Sequence, residues 1–179
     1  GQGAERGKNS TALTKAQLSA DARQLEQVQV IFSQKPKYDS SLHFGCRIVE
    51  RKVSGQSDGT LFLMLGERSR YPQEAQNLQS HLGKIVRIGK DGSVPKDNPF
   101  VGRSDAWPEI WSYGHRNPQG AALAPDGSLW MNEHGPQGGD EINRPEAGKN
   151  YGWPVITYGE NYGGGKIGDS TRAVTMLLL

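Results

Sequence analysis

Short apolar segments joined by Asp-Gly turns recur along this sequence and constrain its fold more than any other feature. Residues 82–94 have the pattern of a strand that runs into an Asp-Gly turn, and residues 120–133 that of a strand, an Asp-Gly turn and a second strand. Asp-Gly pairs favour tight hairpins because these turns need positive φ angles. Two of the units, at Asp58–Phe62 and Asp126–Trp130, share an Asp-Gly-Ser/Thr-Leu-aromatic core. Such repetition predicts a β-propeller or a similar radial array.

The composition agrees with an all-β chain. The sequence contains 24 glycines and 10 prolines among 179 residues, and only 34% are hydrophobic, which suits short strands between frequent turns. Residues 11–33 fit either one helix or two strands around the turn SADA, and we favour strands because QVQVIF alternates. The two repeats are further apart than the usual blade period of about 40–50 residues. An insertion is therefore needed, and the Pro- and Gly-containing residues 98–107 fit one.

The length predicts one partial propeller domain over residues 1–179. At roughly 45 residues per blade, the sequence provides about three to four blades. Residues 1–10 are polar and predict a flexible start, and the final TRAVTMLLL shows no turn or capping pattern. A propeller normally closes its ring by pairing its first and last strands. We therefore expect a truncated chain, with a small closed domain as the alternative.

Charge and composition exclude several classes of protein. The 21 Lys and Arg against 19 Asp and Glu give a formal net charge of +2 without a basic run, so we expect no nucleic-acid partner. No apolar stretch is long enough to span a membrane, and the first residues contain no signal peptide. Cys46 is the only cysteine, which excludes an intrachain disulfide and a cysteine-based zinc site. The motifs of serine hydrolases, P-loop proteins and HExxH zinc enzymes are absent.

The segment from 112 to 151 is crowded with polar residues and glycines, which predicts a site carried on loops. Asp140 and Glu141 follow a glycine-rich run, and such a loop offers carboxylate and carbonyl oxygens to a hard cation such as Ca²⁺. The alternative is a surface loop with solvated carboxylates.

Arg116, Asn117 and His43 are the other candidates. Arginine offers a planar fork of donors and asparagine both a donor and an acceptor, so this pair suits an anionic or quinone-like ligand. The alternative is an arginine stacked on Trp107 or Trp111 beside a turn asparagine. A histidine can serve as a general base near neutral pH, although a histidine on a strand is more often a core residue.

Five segments between residues 38 and 168 carry, in collinear order, a family resemblance. They are LHFGCRIV, SHLGKIVRIGKDGSVPKDNPF, PEIWSYGHRNPQGAALAPDGSLW, NEHGPQGGDEIN and GKNYGWPVITYGENYGG. Together they resemble the soluble sugar dehydrogenases that depend on pyrroloquinoline quinone (PQQ), a group that includes the aldose sugar dehydrogenases and the glucose/sorbosone dehydrogenase family. The resemblance implies a six-bladed propeller with the quinone in a cleft near its axis.

The resemblance also implies roles for four residues. The histidine matching His43 is the general base that removes the proton of the sugar's anomeric hydroxyl while hydride passes to the quinone. The pair matching Arg116 and Asn117 contacts the cofactor, with the arginine stabilising negative charge on the quinone oxygens. His134 stands where glucose-type members carry a cofactor-contacting glutamine, so it belongs to the aldose-type pattern.

Two calcium ions are implied in the same way. The backbone carbonyls matching Gly135 and Pro136 help to hold a catalytic Ca²⁺, which polarises the quinone as a Lewis acid. Glu141 and the carbonyl of Tyr151 match ligands of a second, structural Ca²⁺, and Asp140 lies close by in the sequence.

Three residues depart from the family pattern. Cys46 replaces a usual glycine, which we expect to crowd the backbone beside the base. Leu42 replaces the aspartate of glucose-type members, and Glu67 replaces a common aspartate. Because later blades supply further cofactor contacts in the family, we expect this chain to be poorly active alone.

The function implied is oxidation of an aldose to a lactone, with electrons passed to an external acceptor. The family resemblance places such proteins in the periplasm or outside the cell, and it leaves a homo-oligomer open. The alternatives are a non-catalytic propeller that binds a glycan or a protein partner with Ca²⁺ purely structural, and a Ca²⁺-stabilised scaffold without a ligand.

Overall fold

The computed structural model describes residues 7–169, and this part of the chain is all-β, as predicted. Nine strands and one short 3₁₀ helix occur within it. The strands are β1 (Ala12–Leu18), β2 (Leu25–Ser33), β3 (Gly45–Val53), β4 (Gln56–Leu65), β5 (Lys84–Gly89), β6 (Ile110–Tyr113), β7 (Pro118–Leu123), β8 (Leu129–Glu133) and β9 (Glu141–Asn143), and the 3₁₀ helix is Pro72–Gln76. Antiparallel pairing forms sheet I (β1-β2), sheet II (β3-β4-β5-β6) and sheet III (β7-β8-β9).

Strand β4 shows how the sheets stack. Its sequence LFLML is continuously apolar, which is typical of a strand buried on both faces. Phe62 and Met64 pack in one core with apolar residues of β7 and β8. Leu63 and Leu65 pack in another with Phe32 of β2. Sheet II therefore lies between sheets I and III, in the order expected of consecutive propeller blades.

Asp-Gly pairs lie at a turn in two of the three units but not in the third. Asp91–Gly92 follows β5 and Asp126–Gly127 joins β7 to β8, but Asp58–Gly59 lies inside β4, and the β3–β4 hairpin turns at Ser54–Gly55. The three units share a local hydrogen bond instead. In each, the aspartate Oδ1 accepts the backbone N–H of the Ser or Thr two positions on, at 2.9 Å. The recurring motif thus marks an Asx turn that need not close a hairpin.

The other fold predictions have clear outcomes. Residues 11–33 form two antiparallel strands rather than a helix, and residues 98–107 contain no strand. Of the expected flexible start, residues 1–6 lie outside the described range, whereas Asn9 forms a β-bridge with Tyr38. The apolar end, residues 171–179, also lies outside it. Among residues 7–169, no helix is long and apolar enough to cross a membrane.

Candidate functional site

Several connections between strands meet around one cleft of about 230 Å³. They are the β2–β3, β4–β5, β6–β7 and β8–β9 connections and the chain after β9. The residues that concern the chemistry of its walls are His43, Glu67, Arg116, Pro136, Trp153 and Tyr162. The predicted base and the predicted cofactor arginine are therefore brought together, although 73 positions separate them in the sequence (116 minus 43).

His43 lies just before β3 rather than on the strand, and it pairs with a buried carboxylate. Its Nδ1 is 2.6 Å from Glu67 Oε1. The side chain of Glu67 is 1% exposed, whereas that of His43 is 15% exposed. Because a carboxylate only accepts, Nδ1 carries the proton and Nε2 is left as an acceptor. No group in the described part of the chain forms a hydrogen bond with Nε2, so this nitrogen is available to a ligand.

Close backbone contacts hold this pair in place. His43 and Arg68 both have left-handed φ angles, 49° and 68°. Gly66 leaves no space for a side chain, since a Cβ there would lie 2.1 Å from the carbonyl oxygen of His43. The buried guanidinium of Arg68 donates to the Ser40 carbonyl and lies 3.5 Å from the centre of the Phe44 ring. The segment that carries the predicted base is thus fixed on both sides.

Arg116 is 7% exposed and reaches the cleft from the β6–β7 connection. Its Nη1 donates to the carbonyl of His134 at 2.9 Å, and its guanidinium lies 5.3 Å from the Trp153 ring centre. The expected alternative partners, Trp107 and Trp111, instead face Lys35 and Arg87. Within residues 7–169 the Nε of Arg116 is buried without a hydrogen-bond partner. An incompletely paired buried cation of this kind fits an anionic ligand.

Asn117 is occupied by the protein itself. Its Oδ1 accepts the backbone N–H of Gly45 at 3.3 Å and the side-chain amide of Gln119 at 3.0 Å. These bonds join the start of β7 to the start of β3. His134 is different again, because its side chain is 61% exposed and its Nδ1 is 3.8 Å from Asp140 Oδ1. Asn117 is thus next to Arg116 in the sequence and His134 is joined to it through its backbone carbonyl, but the two predicted cofactor residues have unequal surroundings.

The predicted calcium loop between β8 and β9 is a compact turn built on glycine. The backbone N–H of Gly135 donates to Asp140 Oδ1 at 2.8 Å, which closes the loop. A Cβ on Gly135 would lie 2.3 Å from the carbonyl oxygens of both Gly138 and Gly139, so only glycine fits. Pro136 follows Gly135 and lines the cleft. Carbonyl oxygens are therefore concentrated at this turn.

At the base of this loop two carboxylates face each other across a strand pair. Glu133 of β8 is directly opposite Glu141 of β9. Asn143 donates to both, at 3.1 and 2.9 Å. Burial and the charge of Glu133 raise the pKa of Glu141 to about 7. A cation would relieve this crowding of negative charge.

Glu133 also holds a second, fully buried histidine. His115 Nδ1 is 3.1 Å from Glu133 Oε1, and its Nε2 is 2.9 Å from Ser112 Oγ. The other oxygen of Glu133 accepts the backbone N–H of Arg116 at 2.6 Å. Tyr151 stacks on the imidazole with 4.9 Å between ring centroids, and burial raises the pKa of its phenol to about 12. The predicted calcium residue Tyr151 therefore belongs to the same buried network as Glu133.

Sequence analysis missed the two carboxylates that hold the histidines. Glu67 was noted only as a departure from an aspartate, and Glu133 was not selected. The available signal was weak: each is the acidic residue at or just after the end of an apolar strand, β4 or β8. No three His, Cys, Asp or Glu side chains converge as a metal-binding group within the described range. A cation here would therefore depend on backbone carbonyls as well as carboxylates.

Comparisons with known proteins identify the family of the chain. The model of the Glucose / Sorbosone dehydrogenase family matches residues 2–177. Aldose sugar dehydrogenase YliI of Escherichia coli (strain K12) is 49% identical over 162 residues, which are 90% of this chain and 42% of that protein. The apo-form crystal structure of the soluble aldose sugar dehydrogenase from Escherichia coli has a TM-score of 0.89 at 44% identity, covering 98% of this chain and 50% of that one.

A structure with bound cofactor is also similar. The PQQ-bound form of the aldose sugar dehydrogenase from Streptomyces coelicolor has a TM-score of 0.71 at 31% identity, covering 89% of this chain and 44% of that chain. The chain thus spans about half the length, or less, of these relatives. The match to the family model covers nearly all of the sequence. On this match and on the two structural likenesses, the chain belongs to the glucose/sorbosone dehydrogenase family.

Proposed function

We propose that this chain provides the proton-accepting side of a site that oxidises the anomeric hydroxyl of an aldose to a lactone with PQQ and Ca²⁺. The observation that carries the proposal is the His43–Glu67 pair, which opens into the same cleft as the buried cation of Arg116. The relatives named above support the substrate class and the cofactor, because they are aldose sugar dehydrogenases and one was solved with PQQ.

The cleft residues fit an anionic, planar cofactor. Arg116 has a buried Nε without a hydrogen-bond partner among the described residues, and Trp153 offers an aromatic face beside it. PQQ carries several carboxylates and a flat conjugated ring, and guanidinium and indole groups suit these features. Asn117 and His134 complete the set of chain residues that we propose at the cofactor. When bound, the quinone supplies the acceptor for two electrons and Ca²⁺ polarises it as a Lewis acid.

The loop between β8 and β9 fits Ca²⁺. This ion prefers carboxylate and backbone carbonyl oxygens in a flexible geometry. We propose that the carbonyls of Gly135 and Pro136 hold the catalytic ion, and that Glu141 and the carbonyl of Tyr151 hold the structural one, near Asp140. The second site is supported by Glu133 and Glu141, which lie directly opposite each other on β8 and β9, where burial and the charge of Glu133 raise the pKa of Glu141.

The role of the chain's own residues follows from the tautomer of the base. Glu67 accepts the Nδ1 proton of His43, so Nε2 takes the proton of the sugar hydroxyl. The buried carboxylate then stabilises the imidazolium that forms. The hydrogen of the anomeric carbon would leave as hydride with the electron pair of its C–H bond, for which the quinone is the acceptor, and the C–O bond becomes the lactone carbonyl. An external acceptor completes the cycle, and we place the whole protein in the periplasm on the family resemblance.

The proposal is tested by titrating the chain with PQQ, with and without Ca²⁺, and then adding an aldose. We expect Ca²⁺-dependent binding followed by reduction of the cofactor. His43→Gln should bind PQQ as the parent chain does but reduce it about 10²–10⁴ times more slowly. A folded chain that binds no PQQ, or a His43→Gln variant that reduces it at the parent rate, contradicts the proposal and favours a non-catalytic scaffold.

A further inference from the structure

The segment Tyr158–Gly168, which we call the lip, overhangs the cleft that contains the base. Asn161, Tyr162 and Ile167 of the lip line the cleft together with His43 and Arg116. Tyr162 is at its tip and is 75% exposed, the largest exposed fraction of any large hydrophobic side chain in the described range. An aromatic ring is thus presented to the space in front of the base.

The lip has a defined conformation that displays this ring. The backbone N–H of Asn161 donates to the Gly165 carbonyl at 2.9 Å, and that of Gly164 donates to the Asn161 carbonyl at 2.8 Å. These bonds close a tight turn around Tyr162. Gly164 and Gly165 have positive φ angles, which the turn requires and glycine permits.

The lip is also fixed to the loop between β8 and β9. Gln137 and Glu160 exchange backbone hydrogen bonds in both directions, each 3.0 Å long. A Cβ on Gly139 would lie 2.5 Å from the nitrogen of Gly159, and one on Gly159 would lie 2.6 Å from the Gly138 carbonyl oxygen. The two loops therefore contact each other backbone to backbone, which holds the lip at a set distance from the cofactor side of the cleft.

We propose that Tyr162 is a specificity-determining residue that contacts the ring of the aldose, a proposal that rests on the function proposed above. Sugar rings present C–H faces that pack on aromatic rings and hydroxyls that bond to polar groups. Tyr162 offers both, whereas the side-chain amide of the adjacent Asn161 already donates to the Gly165 and Lys166 carbonyls. Arg116 and Trp153 belong to the cofactor side, so the lip, together with Ser69 and Pro72 of the β4–β5 connection, is left for the sugar.

Tyr158 provides a matched control in the same segment. It is the same residue type, is 45% exposed and belongs to the lip, but it does not line the cleft. A general effect of removing an exposed tyrosine from this loop should appear in both variants, whereas a contact with the sugar should appear only at Tyr162.

The experiment compares the parent chain with Tyr162→Ala, Tyr162→Phe and Tyr158→Ala, each loaded with PQQ and Ca²⁺. The probes are D-glucose, D-galactose, D-xylose and maltose. For Tyr162→Ala we expect KM to rise about tenfold, the equivalent of one aromatic contact, with an altered order of preference among the sugars. Turnover at saturating sugar and the affinity for PQQ should stay within about twofold. Tyr162→Phe should raise KM less, and Tyr158→Ala should match the parent chain.

Each outcome decides the inference. Equal KM values for Tyr162→Ala and Tyr158→Ala overturn it and leave the proposed function standing. If the parent chain shows no turnover, the proposed function fails, and binding of the same sugars is measured directly by tryptophan fluorescence and by NMR saturation transfer. Weaker binding in Tyr162→Ala alone then still supports the inference. Absence of sugar binding to the folded parent chain overturns it.

Discussion

Two histidines in this molecule are each held by a buried carboxylate, and their surroundings are opposite. His43 bonds to Glu67 at 2.6 Å through one ring nitrogen and lines the cleft with the rest of its ring. His115 bonds to Glu133 at 3.1 Å, its second nitrogen bonds to Ser112, and its side chain is 0% exposed. Both are histidine–carboxylate pairs, but only the first has a nitrogen that a substrate can reach.

The backbone differs between the two pairs as well. His43, Cys46, Arg68 and Ser69 all have left-handed φ angles although none is glycine. No non-glycine residue of the described range between 112 and 143 has one. Unfavourable backbone conformations of this kind persist where the surrounding structure enforces them, often at functional sites. The comparison therefore separates the pair that we propose for chemistry, which has an unfavourable backbone around it, from a pair in which every polar group is bonded.

The largest expected effect is on catalysis by the His43–Glu67 pair, which we call the open pair. The test is Glu67→Gln. A glutamine can still accept the Nδ1 proton, but it has no charge with which to stabilise the imidazolium. We expect kcat for aldose oxidation to fall about 10²–10⁴-fold with little change in PQQ affinity. Rapid-mixing measurements of cofactor reduction test this. Glu109→Gln is the control, because Glu109 is also near a buried histidine, His81, at 3.6 Å. A Glu67→Gln chain that keeps more than about a third of the parent kcat would contradict the assignment.

A substitution in the His115–Glu133 pair, which we call the closed pair, should lower the free energy of unfolding. Glu133 accepts hydrogen bonds from the backbone of Arg116 and the side-chain amide of Asn143, and it also bonds to His115. Glu133→Gln puts an NH₂ group where one of these donors points, so the free energy of unfolding should fall by about 2–3 kcal/mol. Urea denaturation with an unchanged slope measures it. The exposed Glu160→Gln is the control. The NMR signals of the His43 ring should stay at their parent positions, and movement of those signals would show that the two pairs are linked.

The sequence alone predicts the strands of this chain well because their burial leaves a direct pattern. LFLML is apolar at every position because β4 is packed on both faces, and QVQVIF alternates. The pairing of His43 with Glu67 and of His115 with Glu133 depends on which strand ends meet, and spacing in the sequence does not encode that. Residue chemistry singled out His43 and Arg116 as candidates and the family resemblance gave them roles, but the same resemblance treated Glu67 as a deviation rather than as the partner of the proposed base.

A smaller effect concerns Ca²⁺ beside the closed pair. The pKa of Glu141 is raised from 4.5 to about 7, so its contribution to the stability of the metal-free protein is present below pH 4.5 and is lost as the pH rises through about 7. Ca²⁺ needs the ionised carboxylate and competes with this proton. Its Kd should therefore fall about tenfold per pH unit up to about pH 7 and level off above it.

Calorimetric titrations with Ca²⁺ between about pH 5 and pH 8.5 test this dependence. Burial and the charge of Glu133 together raise the Glu141 pKa, and in Glu133→Gln that charge is gone. The pH above which the Kd for Ca²⁺ stops falling should therefore be lower. Glu160 is an exposed carboxylate on the lip, and Glu160→Gln should leave the dependence of the Kd on pH unchanged. Affinity that is independent of pH across this range would remove Glu141 from the metal site.

The smallest expected effect tests the strain around the open pair, through Cys46→Gly. Cys46 has a left-handed φ of 93°, and its exposed side chain contacts Thr11 and the Phe44 carbonyl; that it crowds the proposed base stays a prediction. Glycine relieves a left-handed strain of about 1–3 kcal/mol and loses about 0.5–1 kcal/mol through the freer unfolded chain. We therefore expect a net gain of about 1 kcal/mol in urea denaturation. Cys46→Ala keeps the Cβ and should show no such gain. The comparison separates the effect of the backbone strain from that of losing the thiol. If the gain appears with kcat unchanged, the strain at Cys46 is separate from that at His43; if kcat falls with it, the strain extends to the base and helps to hold the open pair.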